Sequence, residues 1–387
     1  MRTGVVAGVV ALATLVVVAP GVSGEQHGGQ APQLIYSGDA YYPRVIRLEH
    51  SGAANGRILG SVVSVVDGDG VGIIVESTDG GATFQHVGTV TDPAGADSRG
   101  LCCATLFELP RQIGDMPAGT LLWATSAGYN LPNAERRVKQ RLWESRDHGR
   151  TWTFKSDIAT QPNRFNAWEP ELSVSADGHL VAFWSDESDK PNHDQKLVQA
   201  RSTDGVTWTD KRDTVKNADF YVRPGMAGVR QLPDGTYLMV YEVCNLDEPL
   251  CSAYLRTSAD GWDYGDPFNL GTGIRTTDGK YPRHTPTVTV GPSGQLVLAS
   301  EMLVNADGTH APGNGRSLLV NDNLGQGPWR EIPAPVPVPD PNNEGCRNFS
   351  PSVLASTDGA SVLHVATETV DGACRAFYAT GPIPPAG

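Results

Sequence analysis

The sequence predicts an all-β fold, a six-bladed β-propeller with four antiparallel strands per blade. Three observations predict it: a strand-turn-strand pattern that recurs six times, a second turn motif in the back half of several of those units, and a composition dense in turn residues. The 387 residues include 44 glycines and 28 prolines, and 19% are charged, which suits many short strands rather than long charged helices. A unit of this kind cannot cover both of its apolar faces alone. Radial stacking of six units closes the structure.

Taken in chain order, the first element is not part of the fold. Arg2, the apolar run Val5 to Ala19 and the small residues Gly21, Ser23 and Gly24 have the anatomy of a secretory signal. The run is broken by Gly8 and Pro20 and is short for a membrane span. Residues 1–24 are therefore expected to be cleaved, and residues 25–387 to form one propeller domain. Gln33-Leu34-Ile35-Tyr36 is expected to close the ring by pairing with the last blade.

The six units are expected to start near Pro43, Ala104, Pro170, Pro224, Pro286 and Pro351, at spacings of about 60 residues, enough for four strands and their turns. In the clearest copy, Pro224 leads to Val229-Arg230-Gln231-Leu232, the chain turns at Asp234-Gly235, and it returns as Tyr237 to Tyr241. That is a hairpin pattern. Ser173 to Trp184 and Val288 to Leu298 repeat it. Pro333 to Pro339 reads as an extended connection between blades, because the sixth unit begins only a dozen or so residues later.

The second motif is Ser77-Thr78-Asp79-Gly80-Gly81-Ala82-Thr83-Phe84 and Ser145-Arg146-Asp147-His148-Gly149-Arg150-Thr151-Trp152. Shorter copies run from Ser202 to Trp208 and from Ser258 to Trp262, and a degenerate one from Asn321 to Trp329. These resemble the Asp box, S-x-D-x-G-x-x-W, of sialidase-like propellers. The carboxylate suits acceptance of backbone N–H bonds across a turn, glycine supplies the positive φ, and the aromatic plugs the gap between strands. Asp79 and Asp147 are accordingly expected to lock turns rather than to catalyse.

The net charge of −13 argues against a nucleic-acid partner, which needs a basic surface to release counterions. Six cysteines in an exported chain suggest disulfides. Cys244 and Cys251 flank a short loop, Cys346 and Cys374 bracket the last strand cluster, and the adjacent Cys102 and Cys103 form either a vicinal bridge or two thiols. No CxxC pair with matching histidines suggests a metal site. No cofactor, no metal and no membrane contact are expected, and the mature protein is expected to be a secreted monomer.

In a propeller the first strand of each blade lines the channel and the second returns antiparallel to it. Residues at the starts of first strands and the ends of second strands therefore share one rim. This brings together Tyr42, Arg44, Trp168, Glu169, Tyr221, Arg223, Arg283, His284, Glu242 and Glu301. Carboxylates, guanidinium groups and aromatics at one opening are what glycoside hydrolysis requires, since one carboxylic acid protonates the leaving oxygen and a second carboxylate stands opposite. Glu169 and Glu242 are the candidate catalytic pair. The other eight are candidate substrate-binding residues, and an oligo- or polysaccharide is the expected substrate.

The stretches Tyr42-Pro43-Arg44, Trp168-Glu169-Pro170 and Arg223-Pro224-Gly225-Met226 through Leu232-Pro233-Asp234-Gly235 to Tyr241-Glu242 resemble glycoside hydrolase family 93, the exo-α-1,5-L-arabinanases. The resemblance implies a six-bladed propeller acting on arabinan chain ends, with Glu169 as acid/base and Glu242 as nucleophile. Three alternatives stand beside it, one of them another exo-glycosidase or a polysaccharide lyase. An exo-α-sialidase would hold a substrate carboxylate with three arginines, for which Arg44, Arg223 and Arg283 are the candidates. A non-catalytic carbohydrate-binding propeller would use Trp168, Trp184, Tyr221 and Tyr241 as a stacking platform.

Overall fold

The structure, a computed structural model, describes residues 31–246 and 251–385. The expected signal segment, residues 1–24, lies outside the described residues. Six β-sheets stand in a ring. Blade one is β2 (Tyr41–Arg47), β3 (Ile58–Val66), β4 (Asp69–Ser77) and β5 (Gln85–Thr91). Blade two is β6 (Leu101–Glu108), β7 (Leu121–Ala127), β8 (Lys139–Ser145) and β9 (Thr153–Thr160). Blade three is β10 (Ala167–Val174), β11 (Leu180–Asp186), β12 (Lys196–Ser202) and β13 (Thr209–Val215). All of these neighbours pair antiparallel in chain order.

Blade four consists of β14 (Arg223–Gln231), β15 (Tyr237–Cys244), β16 (Ser252–Ser258) and the short β17 (Thr272–Gly273). It exceeds the expected four strands because the chain entering blade five, β18 (Tyr281–Arg283), pairs with β16 through Arg283 and Ser252 and with β21 (Met302–Val304). Blade five is β19 (Thr287–Val290), β20 (Leu296–Ala299), β22 (Ser317–Asn321) and β23 (Arg330–Pro333). Blade six is β24 (Ser352–Ala355), β25 (Ser361–Val370) and β26 (Ala373–Pro382), and its outer strand is β1 (Gln33–Leu34) from the other end of the sequence. The expected N-terminal closure is thus made, with Gln33 opposite Tyr378 and Leu34 opposite Phe377.

The core is distributed between blades. Leu122, Leu142, Leu172 and Trp184 fill the space between blades two and three, and Leu238, Val240, Leu296 and Trp329 that between four and five. Within a sheet that is apolar on both faces, alternation disappears, and β11 and β15 are buried along their whole length. The proline-rich connection is packed as well: Val336 and Val338 are buried, and the Val338 N–H donates to the Gly315 carbonyl.

Each Asp box follows the third strand of its blade, between β4 and β5, β8 and β9, β12 and β13, and after β16. In blade two, Asp147 accepts from the N–H groups of Arg150 and Thr151 and from the hydroxyls of Ser145 and Thr151, at 2.6 to 3.1 Å. Asn321 serves the degenerate copy by accepting from the N–H groups of Asn323 and Gly325. Because first and third strands run the same way, these turns lie at the opposite end of each blade from the first-strand starts.

Among the described residues no helix is long and apolar enough to cross a membrane. The disulfides are Cys102–Cys103, Cys244–Cys251 and Cys346–Cys374. Replacing Asp147 with alanine removes four turn hydrogen bonds far from the channel mouth. The expected outcome is a loss of about 1–2 kcal/mol, seen as a melting midpoint lowered by a few degrees, with substrate affinity unchanged in the same preparation.

Candidate active site

Each first strand opens with the same irregularity. In blades one to four the pairing of first and second strands skips a residue, between Tyr41 and Arg44, Cys102 and Thr105, Trp168 and Glu171, and Gly225 and Gly228. The residue inside each bulge is left-handed: Tyr42, Cys103, Glu169 and Met226 at φ values of 48° to 63°. Thr285 and Ser350 hold the same place in blades five and six, at φ 51° and 53°. A left-handed non-glycine residue is uncommon and costs energy. Six of them at one level form a ring that re-aims side chains at the channel.

The ring corrects one detail of the sequence reading. The repeat's X-Pro step is Tyr42-Pro43, Glu169-Pro170, Thr285-Pro286 and Ser350-Pro351 in four blades, but in blade four it is Met226-Ala227 rather than Arg223-Pro224. Pro224 lies on the regular stretch before the bulge, paired with Val243. Blade four has no proline at the bulge, so the nearest proline misled the alignment by three residues.

Glu169 is thereby turned toward the channel mouth, where Ser185, at the end of β11, donates a 2.6 Å hydrogen bond to its carboxylate. The same Ser185 oxygen accepts from the Met226 N–H at 3.1 Å. Met226 follows Gly225, which stands opposite Glu242 on β15. Ser185 and Glu242 occupy equivalent places on neighbouring second strands, and each grips the bulge of the following blade. Glu242 does so by accepting from the Thr285 N–H at 2.8 Å.

The two glutamates also feel each other electrostatically. Burial, foremost, and then the negative charges of Glu242 and Glu187 push the Glu169 carboxyl up to about 8, against the lowering effects of the Ser185 hydrogen bond and Arg223. Glu169 thus holds its proton at neutral pH. The structure brings Glu169 and Glu242 to one mouth.

On the far side of the mouth, His284 Nδ1 is 3.7 Å from Glu242. Glu301, fully buried, occupies in blade five the place that Glu242 has in blade four, and its carboxylate accepts from the Asn343 N–H at 2.7 Å. Burial raises its carboxyl to about 7, opposed by His284 and the Asn343 N–H and reinforced by Glu242. Asn348 donates to the carbonyls of Ser300 and Glu301. His284 Nε2, Glu301 Oε2 and Asn348 Oδ1 are buried without a hydrogen-bond partner, an arrangement that costs stability unless something fills it.

The remaining candidates divide. Trp168 stays at the mouth, its ring 5.3 Å from that of Tyr129 and its N–H on Glu187. Tyr42 is buried beside Arg44, whose guanidinium lies 4.1 Å over its ring and donates to Ser350. Arg223 is held by Glu187, Asp194 and Gln195. Arg283 is buried on β18. Tyr221 is 68% exposed and packs on Phe220, outside the carboxylate cluster. Trp184 and Tyr241 are core residues, so they offer no stacking platform. Arg44 and Arg223 are committed to separate partners, which removes the basis for a three-arginine clamp.

Sequence reasoning placed Asn348 on the rim beside Arg347 but missed Ser185 and Glu187. Each sits beside a residue that drew attention, and the alternation of a strand places neighbours on opposite faces, so only the register could select the inward one. Cys244 and Cys251 sulfurs lie close to Glu242, with Cys244 Sγ 3.6 Å from its carboxylate. Both are tied in a disulfide and therefore supply no thiolate to a cation.

Comparison with solved structures places this geometry. The α-L-arabinofuranosidase of Fusarium graminearum, solved with an iminosugar inhibitor, superposes with a TM-score of 0.75 at 25% identity, over 92% of this chain and 98% of that one. The chain is a glycoside hydrolase similar in structure to those of family 93. The same fold is seen in the Penicillium chrysogenum α-L-arabinanase complexed with arabinobiose, at 24% identity and a TM-score of 0.74 over 92% of this chain and 98% of that one. The Trypanosoma rangeli sialidase shares the fold more distantly, at 12% identity and a TM-score of 0.55, over 89% of this chain and 55% of that one. No family model matches the sequence, and no curated protein matches it.

For this family-93-like propeller the raised Glu169 carboxyl has a direction-specific consequence. Its folded value lies above the ordinary 4.5, so the native state keeps a proton that the unfolded chain releases. The stability it contributes is complete below about pH 4.5 and is lost as pH rises through about 8. A ¹³C titration of the Glu169 carboxyl is expected to show a midpoint near 8. Ser185→Ala, which deletes the hydrogen bond favouring the ionised form, is expected to raise that midpoint, and a lowered midpoint would contradict the assignment.

Proposed function

We propose that this chain is a secreted, exo-acting hydrolase that releases arabinose-containing units from arabinan chain ends, with Glu169 as acid/base and Glu242 as nucleophile. The observation that carries this reading is the pair itself: a carboxyl held protonated at neutral pH, electrostatically coupled to a second carboxylate on the neighbouring blade. Environments that push a carboxyl pair apart assign acid and base roles. The arabinobiose and iminosugar complexes of the similar structures support arabinose units as the substrate. The three disulfides support an oxidising, extracellular setting.

A blind channel supports exo action. Met226 of blade four shares one apolar cluster with Tyr42 of blade one, Leu101 of blade two and Phe349 of blade six. Residues of non-neighbouring blades meet only across the centre, so the channel is plugged at the bulge ring and accepts a chain end rather than a threaded chain.

In the first step the Glu169 proton passes to the glycosidic oxygen as the bond from that oxygen to the anomeric carbon breaks. A Glu242 carboxylate oxygen bonds the anomeric carbon and forms a glycosyl ester. In the second step the Glu169 carboxylate takes a proton from water, the water oxygen attacks the anomeric carbon, and the ester bond returns its electrons to Glu242. Thr285 N–H holds the Glu242 carboxylate in place, and Ser185 holds that of Glu169. His284, Glu301 and Asn348 are placed to receive sugar hydroxyls.

Release of reducing sugar from linear α-1,5-arabinan tests the reading. Glu169→Gln and Glu242→Gln are each expected to lower turnover by roughly 10³-fold or more while keeping the wild-type melting midpoint. Undiminished release by either variant ends the assignment of that residue. Binding of arabinobiose without any turnover by the wild type would make the chain a carbohydrate-binding propeller instead.

A further inference from the structure

We infer that the Cys102–Cys103 disulfide is a substrate contact, a rigid apolar platform for the C–H face of the terminal sugar; this rests on the arabinan reading above. Cys103 is the bulge residue of blade two, as Glu169 is of blade three. The level is tied directly, since the Thr105 hydroxyl donates to the Glu171 carboxylate at 3.0 Å, and these residues stand two places after Cys103 and Glu169. Cys103 therefore adjoins Glu169 on the ring. On its other side is Tyr42, whose phenol feels the charges of both Glu169 and Glu171 from two blades away. The disulfide occupies the gap between them.

Its surroundings are those of a binding wall. Tyr129, on the loop that the Gly128 N–H ties to the Gly100 carbonyl at the start of β6, packs against Trp168. Cys102 and Cys103 are both partly open, whereas Tyr42 and Met226 on the same ring are covered. A disulfide has no proton to donate and only weak acceptor sulfurs. What it offers a ligand is a stiff, polarisable, apolar surface that loses no side-chain freedom on contact.

Across the channel stand blades five and six, and there the chemistry is inverted. Glu301 Oε2, His284 Nε2 and Asn348 Oδ1 are buried and unpartnered. A furanose ring has an apolar C–H face and a hydroxyl edge. Placed with the C–H face on the disulfide and hydroxyls toward these three atoms, it presents its anomeric carbon between Glu169 of blade three and Glu242 of blade four. The disulfide thus positions the sugar and takes no part in bond making.

The test compares wild type with the double variant C102S/C103S on linear arabino-oligosaccharides. The expected outcome is a rise of about five- to tenfold in KM, with the loss falling on KM rather than on kcat. A lowered melting midpoint with unchanged KM would overturn the proposal and leave the bond a purely structural lock on the bulge. If the double variant does not fold, wild-type protein is treated with a phosphine and alkylated with and without saturating arabinobiose. Arabinobiose is expected to slow alkylation of Cys102 and Cys103 several-fold while leaving Cys346 and Cys374 unaffected. Equal rates with and without the sugar overturn the proposal. A wild-type protein inert toward arabinan and unable to bind arabinobiose would instead fail the functional reading, a result visible before any variant is made.

Discussion

The site depends on one backbone constraint, the left-handed bulge at the start of every innermost strand. A regular antiparallel ladder sends alternate side chains into the two neighbouring inter-blade cores. The extra residue interrupts that alternation and turns Tyr42, Cys103, Glu169, Met226, Thr285 and Ser350 toward the axis. The strain is held in place by the preceding blade. Ser185 braces the Met226 amide and Glu242 braces the Thr285 amide, so the groups that secure the bulges are the groups that face the mouth.

That coupling explains the electrostatics. Polar side chains at the second-strand ends must be buried to reach the next blade, and burial of several carboxyls in one small volume raises some of them. Glu169 at about 8 and Glu301 at about 7 are the result. Carboxyls with nearby cations behave differently: Asp186 stays low beside Lys211, although burial alone would raise it. The apolar cluster of Tyr42, Met226 and Phe349 lies at the ring itself, and a low-dielectric wall of this kind strengthens the charge interactions beside it.

Much of this was legible in the sequence. Six hairpin units and the serine, aspartate and glycine of the Asp boxes are local patterns, because each is enforced by contacts a few residues apart, as with Asp147 and its own turn. The rim position of Glu169 and Glu242 followed from strand direction alone. What could not be read was the phase of blade four. Pro224 imitates the proline of the other units, yet the bulge falls at Met226, where no proline marks it. Tyr221 was misjudged for the same reason. It belongs to a surface turn before the strand rather than to the ring.

The sequence by itself determined the number of blades, their turns and the identity of the acidic residues that end up at one opening, since periodicity and local turn chemistry act over a few residues. Only the tertiary structure decided which neighbours of those acids face inward, that Ser185 links Glu169 to blade four, and that His284, Glu301 and Asn348 are left with unmet polar atoms. Those facts depend on bulge register and on contacts between blades tens of residues apart, where a shift of a single residue sends a side chain to the opposite face.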